Sequence, residues 1–361
     1  MANAGQASEP PGGAALTART LAAQVASGDT RAAARACRLV DEGWPGHAEL
    51  LAALYAGGAA CWTIGVTGSP GVGKSTLCSR LVQHFRAQGG RVAVVAVDPT
   101  SPFTGGAILG DRIRMQAHWE DPDVFVRSVA TRGAHGGLSR TAADVARVLG
   151  AWGARVVLIE TVGVGQDELD VMRVADTTLV IQAPGAGDDV QAAKAGLLEC
   201  ADVFAVNKAD LPGAEDVVEA LRGMLLLGHI TGSSAAPRAG HSAAAFAAAV
   251  TTDPAAGGDG GAWEVPVTAC VATRDQGVDA LVTQLEAHRR WLQSSDTGRA
   301  RRHDRLKQEL AGRVREALSA AWLEAHGDEL ERAAEQVASG ALDPYAATQR
   351  LLVAGSSIPP G

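Results

Sequence analysis

Aromatic side chains are scarce in this chain of 361 residues: seven Trp, five Phe and two Tyr make up 4% of it. Hydrophobic residues still reach 47%, so a sizeable core is possible, but Ala, Val and Leu have to fill most of it. Positive charge is also short. Lys and Arg number 32 against 40 Asp and Glu, a formal net charge of −8, which is a poor basis for non-specific nucleic-acid binding. There is no C-x-x-C pair. Cys37, Cys61, Cys78, Cys200 and Cys270 are scattered and odd in number, which argues against a disulfide framework and fits a reducing cytoplasm. No apolar run approaches the roughly 20 residues that span a bilayer. Met1–Gly13 has neither the basic cluster nor the apolar stretch of a secretory signal, and reads as a disordered tail. A cytoplasmic protein with no membrane or nucleic-acid partner is expected.

Residues 14–60 read as a helical extension. Asp29-Thr30 forms an N-cap before Arg31–Glu42, and Gly43 stops that helix. Short apolar, β-branched runs then recur at Cys61–Thr67, Arg91–Val97, Val124–Ser128, Arg155–Ile159, Thr177–Gln182, Val203–Val206 and Val265–Ala269. Helical patterns lie between many of them. Such alternation predicts an α/β fold, a mostly parallel sheet with helices on both faces, over residues 61–295. Continuous apolar runs such as Val92–Val97 fit strands buried on both sides. Gly223–Gly261 is rich in Ala, Gly, Ser and Thr and reads as a flexible insert with helical portions. Residues 296–361 form a charged helical arm. Leu306, Leu310, Val314, Leu318 and Trp322 recur every fourth residue along it. That stripe either docks on the chain's own core or forms a dimer contact.

Gly68-Ser69-Pro70-Gly71-Val72-Gly73-Lys74-Ser75-Thr76 matches G-x-x-x-x-G-K-[ST] in full, after a strand and before the helical pattern Leu77–Gln88. The glycines let backbone N–H groups turn inward around a phosphate, Lys74 brings a point charge to the β- and γ-phosphates, and the Ser75 hydroxyl ligates Mg²⁺. The helix that follows aims its positive end at the same phosphates. Asn207-Lys208-Ala209-Asp210 follows the apolar strand Val203–Val206. Downstream of a phosphate loop, that pattern reads guanine, because the Asp210 carboxylate can accept from N1–H and the exocyclic amine together. Adenine has no such donor pair, so GTP and GDP are the expected nucleotides. Thr268-Ala269-Cys270 ends a later strand, where a backbone N–H can meet the guanine oxygen.

Two acids end apolar strands where α/β sheets bind ligands: Asp98, before Pro99, and Glu160. Asp111, in a glycine-rich stretch, is a further carboxylate within reach of Mg²⁺ directly or through water. Gly163 is placed to give its N–H to the γ-phosphate, so its loop senses hydrolysis. The next residue is Val164, which cannot orient an attacking water as a glutamine would, and Gln166 lies two residues further on. Slow hydrolysis by the isolated protein follows.

Val97-Asp98-Pro99-Thr100-Ser101-Pro102, Thr104-Gly105-Gly106 with Gly110-Asp111-Arg112-Ile113-Arg114-Met115, Glu160–Gln166, and Pro184-Gly185-Ala186-Gly187-Asp188 together resemble the MeaB/ArgK family of P-loop GTPases over roughly Leu39–Leu285. The animal relative of that family is the methylmalonic aciduria type A protein. The resemblance implies a GTPase that binds an adenosylcobalamin-dependent acyl-CoA mutase, gates cofactor loading, and protects or rescues the enzyme. By matched motif, Lys74 and Ser75 belong to the phosphate and Mg²⁺ site. Asp98, Asp111 and Glu160 are its Mg²⁺-linked and catalytic acids, and Asn207, Lys208 and Asp210 read guanine. Gly185–Lys194 resembles a third switch, with Asp188, Gln191 and Lys194 as the residues that transmit nucleotide state to the mutase. The resemblance also implies a homodimer through the C-terminal arm. The chain departs from the family pattern in its insert at Gly223–Gly261 and in Cys270, where a small polar residue is usual.

Two other functions compete. Family members described as kinases of amino-acid transport make protein phosphorylation an alternative, though no acceptor site stands out and guanine selectivity is unusual for a kinase. A metal-insertion GTPase usually carries a His-rich tract or Cys cluster, and the nine histidines here are dispersed.

Overall fold

A computed structural model describes residues 17–58, 61–98, 118, 120–130, 137–161, 174–185, 201–231 and 262–355. Three helices come first: α1 (Ala18–Ala26), α2 (Thr30–Asp41) and α3 (His47–Ala56). Asp29 caps α2, its carboxylate accepting from the N–H groups of Arg31 and Ala32, which satisfies two of the donors a helix start leaves open. The strands are β1 (Trp62–Thr67), β2 (Arg91–Asp98), β3 (Val124–Ala130), β4 (Ala154–Thr161), β5 (Thr177–Gln182), β6 (Val203–Val206) and β7 (Val267–Ala269). Helices α4 (Lys74–Ala87), α5 (Gly137–Ala151), α6 (Ala214–Thr231) and α7 (Val278–Ser294) lie between or after them. Helix α8 (Asp296–Ala338), with a non-helical residue at His326, and α9 (Pro344–Gly355) close the described chain. The α6 helix continues through Gly223, so the start of the segment read as an insert is helical. Residues 232–261 lie outside the described set, as does the tail 1–13.

All seven strands among the described residues are parallel, in the order β3-β2-β4-β1-β5-β6-β7. Consecutive residues point to opposite faces. In β2, Ala93, Val95 and Val97 join one core with Val157 and Ile159 of β4, and α1, α2, α3 and α5 cover it. Val92 and Val94 join the other core with Ile64, Val66, Val156 and Leu158, covered by α4 and α7. The N-terminal helices are therefore one layer of the sheet's own cover. Leu21, Val25, Ala33 and Leu50 are fully or almost fully buried there. Four of the aromatics sit at these packing centres: Trp62 meets Phe85 edge-on at 5.7 Å and Phe125 meets Trp152 at 5.6 Å.

The chain divides into two compact units after Arg302. Asp296–Arg302, which the sequence pattern assigns to the arm, thus belong to the first unit. Within the second unit the aliphatic stripe is open: Leu306, Leu310, Val314 and Leu318 are 46%, 62%, 56% and 59% exposed. Trp322 is half-buried and stacks on His326, with ring centroids 5.0 Å apart.

Candidate nucleotide-binding site

Because every strand is parallel, β1, β2, β4, β5, β6 and β7 all deliver their C-terminal ends to one edge. The chain leaves β1 for β2 on one side of it and later passes to β5 on the other. Ligands of open α/β sheets bind at such a reversal, and here β1 runs straight into Gly68–Thr76.

Two glycines in that loop have no substitute. Gly68 has φ +146° and an added Cβ would stand 2.1 Å from the Ile181 carbonyl oxygen of β5. Gly73 has φ +95°, and its Cβ would stand 2.4 Å from Asn207 Nδ2. Gly73 is also the N-cap of α4 and has no side chain with which to cap it, so the first N–H groups of the helix remain for an anion. Lys74 Nζ donates to the carbonyl oxygens of Gly68 (2.6 Å) and Ser69 (3.0 Å), which holds the ammonium in the curl of the loop.

Ser75 and Glu160, eighty-five positions apart, meet beneath the loop. The Ser75 hydroxyl donates to Glu160 Oε1 at 2.6 Å, and both side chains are buried. Glu160 comes from β4, where it is registered with Val66 of β1 and Ala96 of β2. Asp98 ends β2 at the same edge, two positions beyond the partner of Glu160. The Thr67 hydroxyl oxygen, fully buried just before the loop, has no hydrogen-bond partner among the described residues. A hydroxyl and a carboxylate, both hard oxygen donors, fit Mg²⁺, which takes one or two protein ligands and completes its shell with water and phosphate. Asp111, Gly163, Asp188, Gln191 and Lys194 fall outside the described residues.

The residues expected to read the base divide into two roles. Asn207 is 3% exposed and uses both ends of its amide within the protein: Nδ2 donates to Val72 O (2.8 Å) and Oδ1 accepts from Ala272 N (3.0 Å). It ties the phosphate loop to the loop after β7. Lys208, left-handed at φ 57°, donates from Nζ to Gly71 O at 2.7 Å. Asp210 keeps an exposed carboxylate, 30% accessible. Of the third base segment, the Cys270 N–H is committed to Val206 O at 2.8 Å, so Cys270 does not supply the expected backbone donor. The extra residue of ladder that it forms beyond β7 accounts for the difference. Burial pushes the Cys270 thiol up to about 11. What sequence reasoning missed is Arg80, on α4, whose Nε donates to Ala272 O at 2.9 Å. No sequence motif marks it.

A parallel sheet with a complete phosphate loop at its reversal point, a buried Ser–Glu pair beneath it and an exposed aspartate after β6 defines a nucleotide site of the P-loop GTPase class. The chain belongs to the MeaB family: the model of methylmalonyl-CoA mutase-associated GTPase MeaB matches residues 33–347. A Pyrococcus abyssi protein named as a GTPase is 38% identical over 333 residues, which is 90% of this chain and 93% of that one. A fused isobutyryl-CoA mutase of Cupriavidus metallidurans is 38% identical over 197 residues, 53% of this chain but 18% of that one. The crystal structure of an LAO/AO transport system kinase superposes with a TM-score of 0.61 at 24% identity, covering 94% of this chain and 98% of the other, which is a likeness of fold.

Proposed function

We propose that this GTPase is a chaperone that binds an adenosylcobalamin-dependent acyl-CoA mutase, methylmalonyl-CoA mutase or a close relative, gates cofactor loading, and protects or reactivates the enzyme. The observation that carries this reading is the Cupriavidus chain, in which a segment like this one is covalently part of an isobutyryl-CoA mutase. Fusion makes the two parts permanent neighbours, and the same pairing is the one proposed here, in the cytoplasm.

Within the site, the loop N–H groups and Lys74 bind the phosphates of GTP, and Asp210 accepts from guanine. Mg²⁺, held by Ser75 with Asp98, Asp111 and Glu160 directly or through water, would neutralise phosphate charge. Glu160 orients the Ser75 hydroxyl through their buried bond. Val164 cannot orient water, so hydrolysis is slow until a partner or a rearranged switch completes the site. Asp188, Gln191 and Lys194 lie in the segment that would report nucleotide state to the mutase. The open stripe of the second unit supports a homodimer through that unit.

The test is complex formation. The purified chain and the mutase of the same organism, mixed with Mg²⁺ and either GDP or a non-hydrolysable GTP analogue, should co-elute on size exclusion, with affinity that depends on the nucleotide. Two separate peaks in both states would refute the chaperone reading.

A further inference from the structure

The loop after β7 contains a short 3-10 turn, Ala272–Arg274, closed by Asp275 at φ 57°. Asn207 holds its first residue from one side. Arg80 holds it from the other: Nε donates to Ala272 O (2.9 Å), Nη2 to Thr273 O (3.2 Å), and Nη1 to Gln83 Oε1 (2.9 Å). One helical turn further along α4, His84 Nε2 lies 3.0 Å from Asp275 Oδ1. A planar guanidinium fork on successive carbonyls fixes orientation as well as distance. The turn is thereby pinned to the helix that begins with Lys74 and Ser75.

Arg274 is the last residue of this pinned turn, and its Nη2 lies 3.3 Å from Asp210 Oδ2. We propose that Arg274 is a positioning residue that orients the Asp210 carboxylate for guanine, and that Arg80 holds the turn from which it does so. The proposal deepens, and rests on, the reading of Asp210 as the residue that accepts from the base. Guanine N1–H and its exocyclic amine need both carboxylate oxygens in one plane. Each oxygen has a second lone pair, so an arginine on Oδ2 leaves the pair that faces the base available. The last torsion of an aspartate is broad and two-fold. Without a cation to set it, the carboxylate turns and the paired acceptance is lost for part of the time. Adenine offers no matching donor pair, so binding of an adenine nucleotide through the phosphate loop is indifferent to Arg274.

The experiment measures dissociation constants of fluorescently labelled GDP, ADP and XDP for the full chain with Mg²⁺, in wild type, Arg274→Ala, Arg274→Lys and Asp210→Asn. Arg274→Ala should weaken GDP about two- to five-fold, the range of an exposed ion pair, and leave ADP unchanged. Arg274→Lys, which keeps the charge but not the fork, should fall between. Added salt should shrink the difference between wild type and Arg274→Ala, because an exposed pair is screened. Equal loss of GDP and ADP in Arg274→Ala would mean general damage and would overturn the proposal, as would an unchanged GDP-to-ADP ratio. Asp210→Asn separates the underlying reading: an amide complements the C2 oxygen of xanthine, so preference should move from GDP to XDP. If it moves while Arg274→Ala behaves as wild type, only the positioning role fails. If it does not move, Asp210 does not read the base and the proposal falls with it.

Discussion

Replacing Arg301 with Met should destabilise the first unit by an amount that depends on pH in a direction the structure dictates. Asp202, immediately before β6, is 1% exposed. Arg301, near the start of α8, grips it with a fork of 2.6 and 2.9 Å, and Thr178 N donates to it at 2.8 Å. His288 Nε2 stands 3.6 Å from Asp202 Oδ1 without a hydrogen-bond partner among the described residues, while its Nδ1 shares the Thr177 hydroxyl at 2.9 Å. Burial opposes an ionised Asp202, but His288 and Arg301 outweigh it and hold the carboxyl below the usual range. At neutral pH the working partner is Arg301, because burial pushes His288 down to about 4. Removing the guanidinium leaves a buried carboxylate without its cation, which costs about 3–5 kcal/mol.

The pH dependence follows from His288. In wild type its folded pKa lies below the unfolded value near 6.5, so stability is lost as pH falls through that window. Burial still depresses His288 without Arg301, but one of the two groups that lower it is gone while Asp202 and Asp176 still raise it, so the pKa climbs back towards the unfolded value. His288 then takes up its proton beside Asp202 at a higher pH than in wild type, so the variant loses less stability than wild type as pH falls. The gap between wild type and Arg301→Met should therefore narrow from pH 8 to pH 5, by at most about 2 kcal/mol, which is 1.36 kcal/mol per pH unit over the span from about 6.5 to 5. Urea unfolding at both pH values reads it through the midpoint and slope. A gap that stays constant or widens on acidification would refute the reasoning. The double variant Asp202→Asn with Arg301→Met should recover part of the loss, since no charge is then stranded.

Three further outcomes are expected. Gly73→Ala would meet Asn207 Nδ2 at 2.4 Å in a left-handed conformation, so GDP affinity should fall at least ten-fold, a loss of about 1.4 kcal/mol, and an unchanged affinity on titration would contradict the loop geometry. Cys37 is fully buried, and burial pushes its thiol up to about 12, so it should not be alkylated in the native chain at pH 8, and mass spectrometry showing its rapid labelling would contradict its packing. Leu310→Glu with Leu318→Glu on the open stripe should convert a dimer to monomers by light scattering while GDP affinity holds; a dimer that persists would move the interface elsewhere.

The strands and the phosphate loop were legible because both are local. A β-branched run buried on both faces looks like Val92–Val97, and a phosphate loop needs its glycines and lysine at fixed spacing. The Asp29 cap was readable for the same reason. Three things were not. Nothing in the pattern of α1–α3 distinguishes an appendage from a layer over β2 and β4, because an amphipathic helix does not name the surface it covers. Arg80 and Ala272 are 192 positions apart, and Asp202, His288 and Arg301 come from three elements, so only the fold brings those polar groups together. The tie from Asn207 to both loops was hidden by its place in a motif associated with the base. Glu160 was identified as an acid at a strand end, but its bond to Ser75 required the register of β4 beside β1.

GTP turnover by the purified chain, alone and with the adenosylcobalamin-dependent acyl-CoA mutase of the same organism under matched Mg²⁺ and salt, tests the central claim most directly. A slow rate alone and marked acceleration by the mutase are predicted. A fast rate in the isolated chain, or a slow rate that the mutase leaves unchanged, would contradict a site completed by its partner.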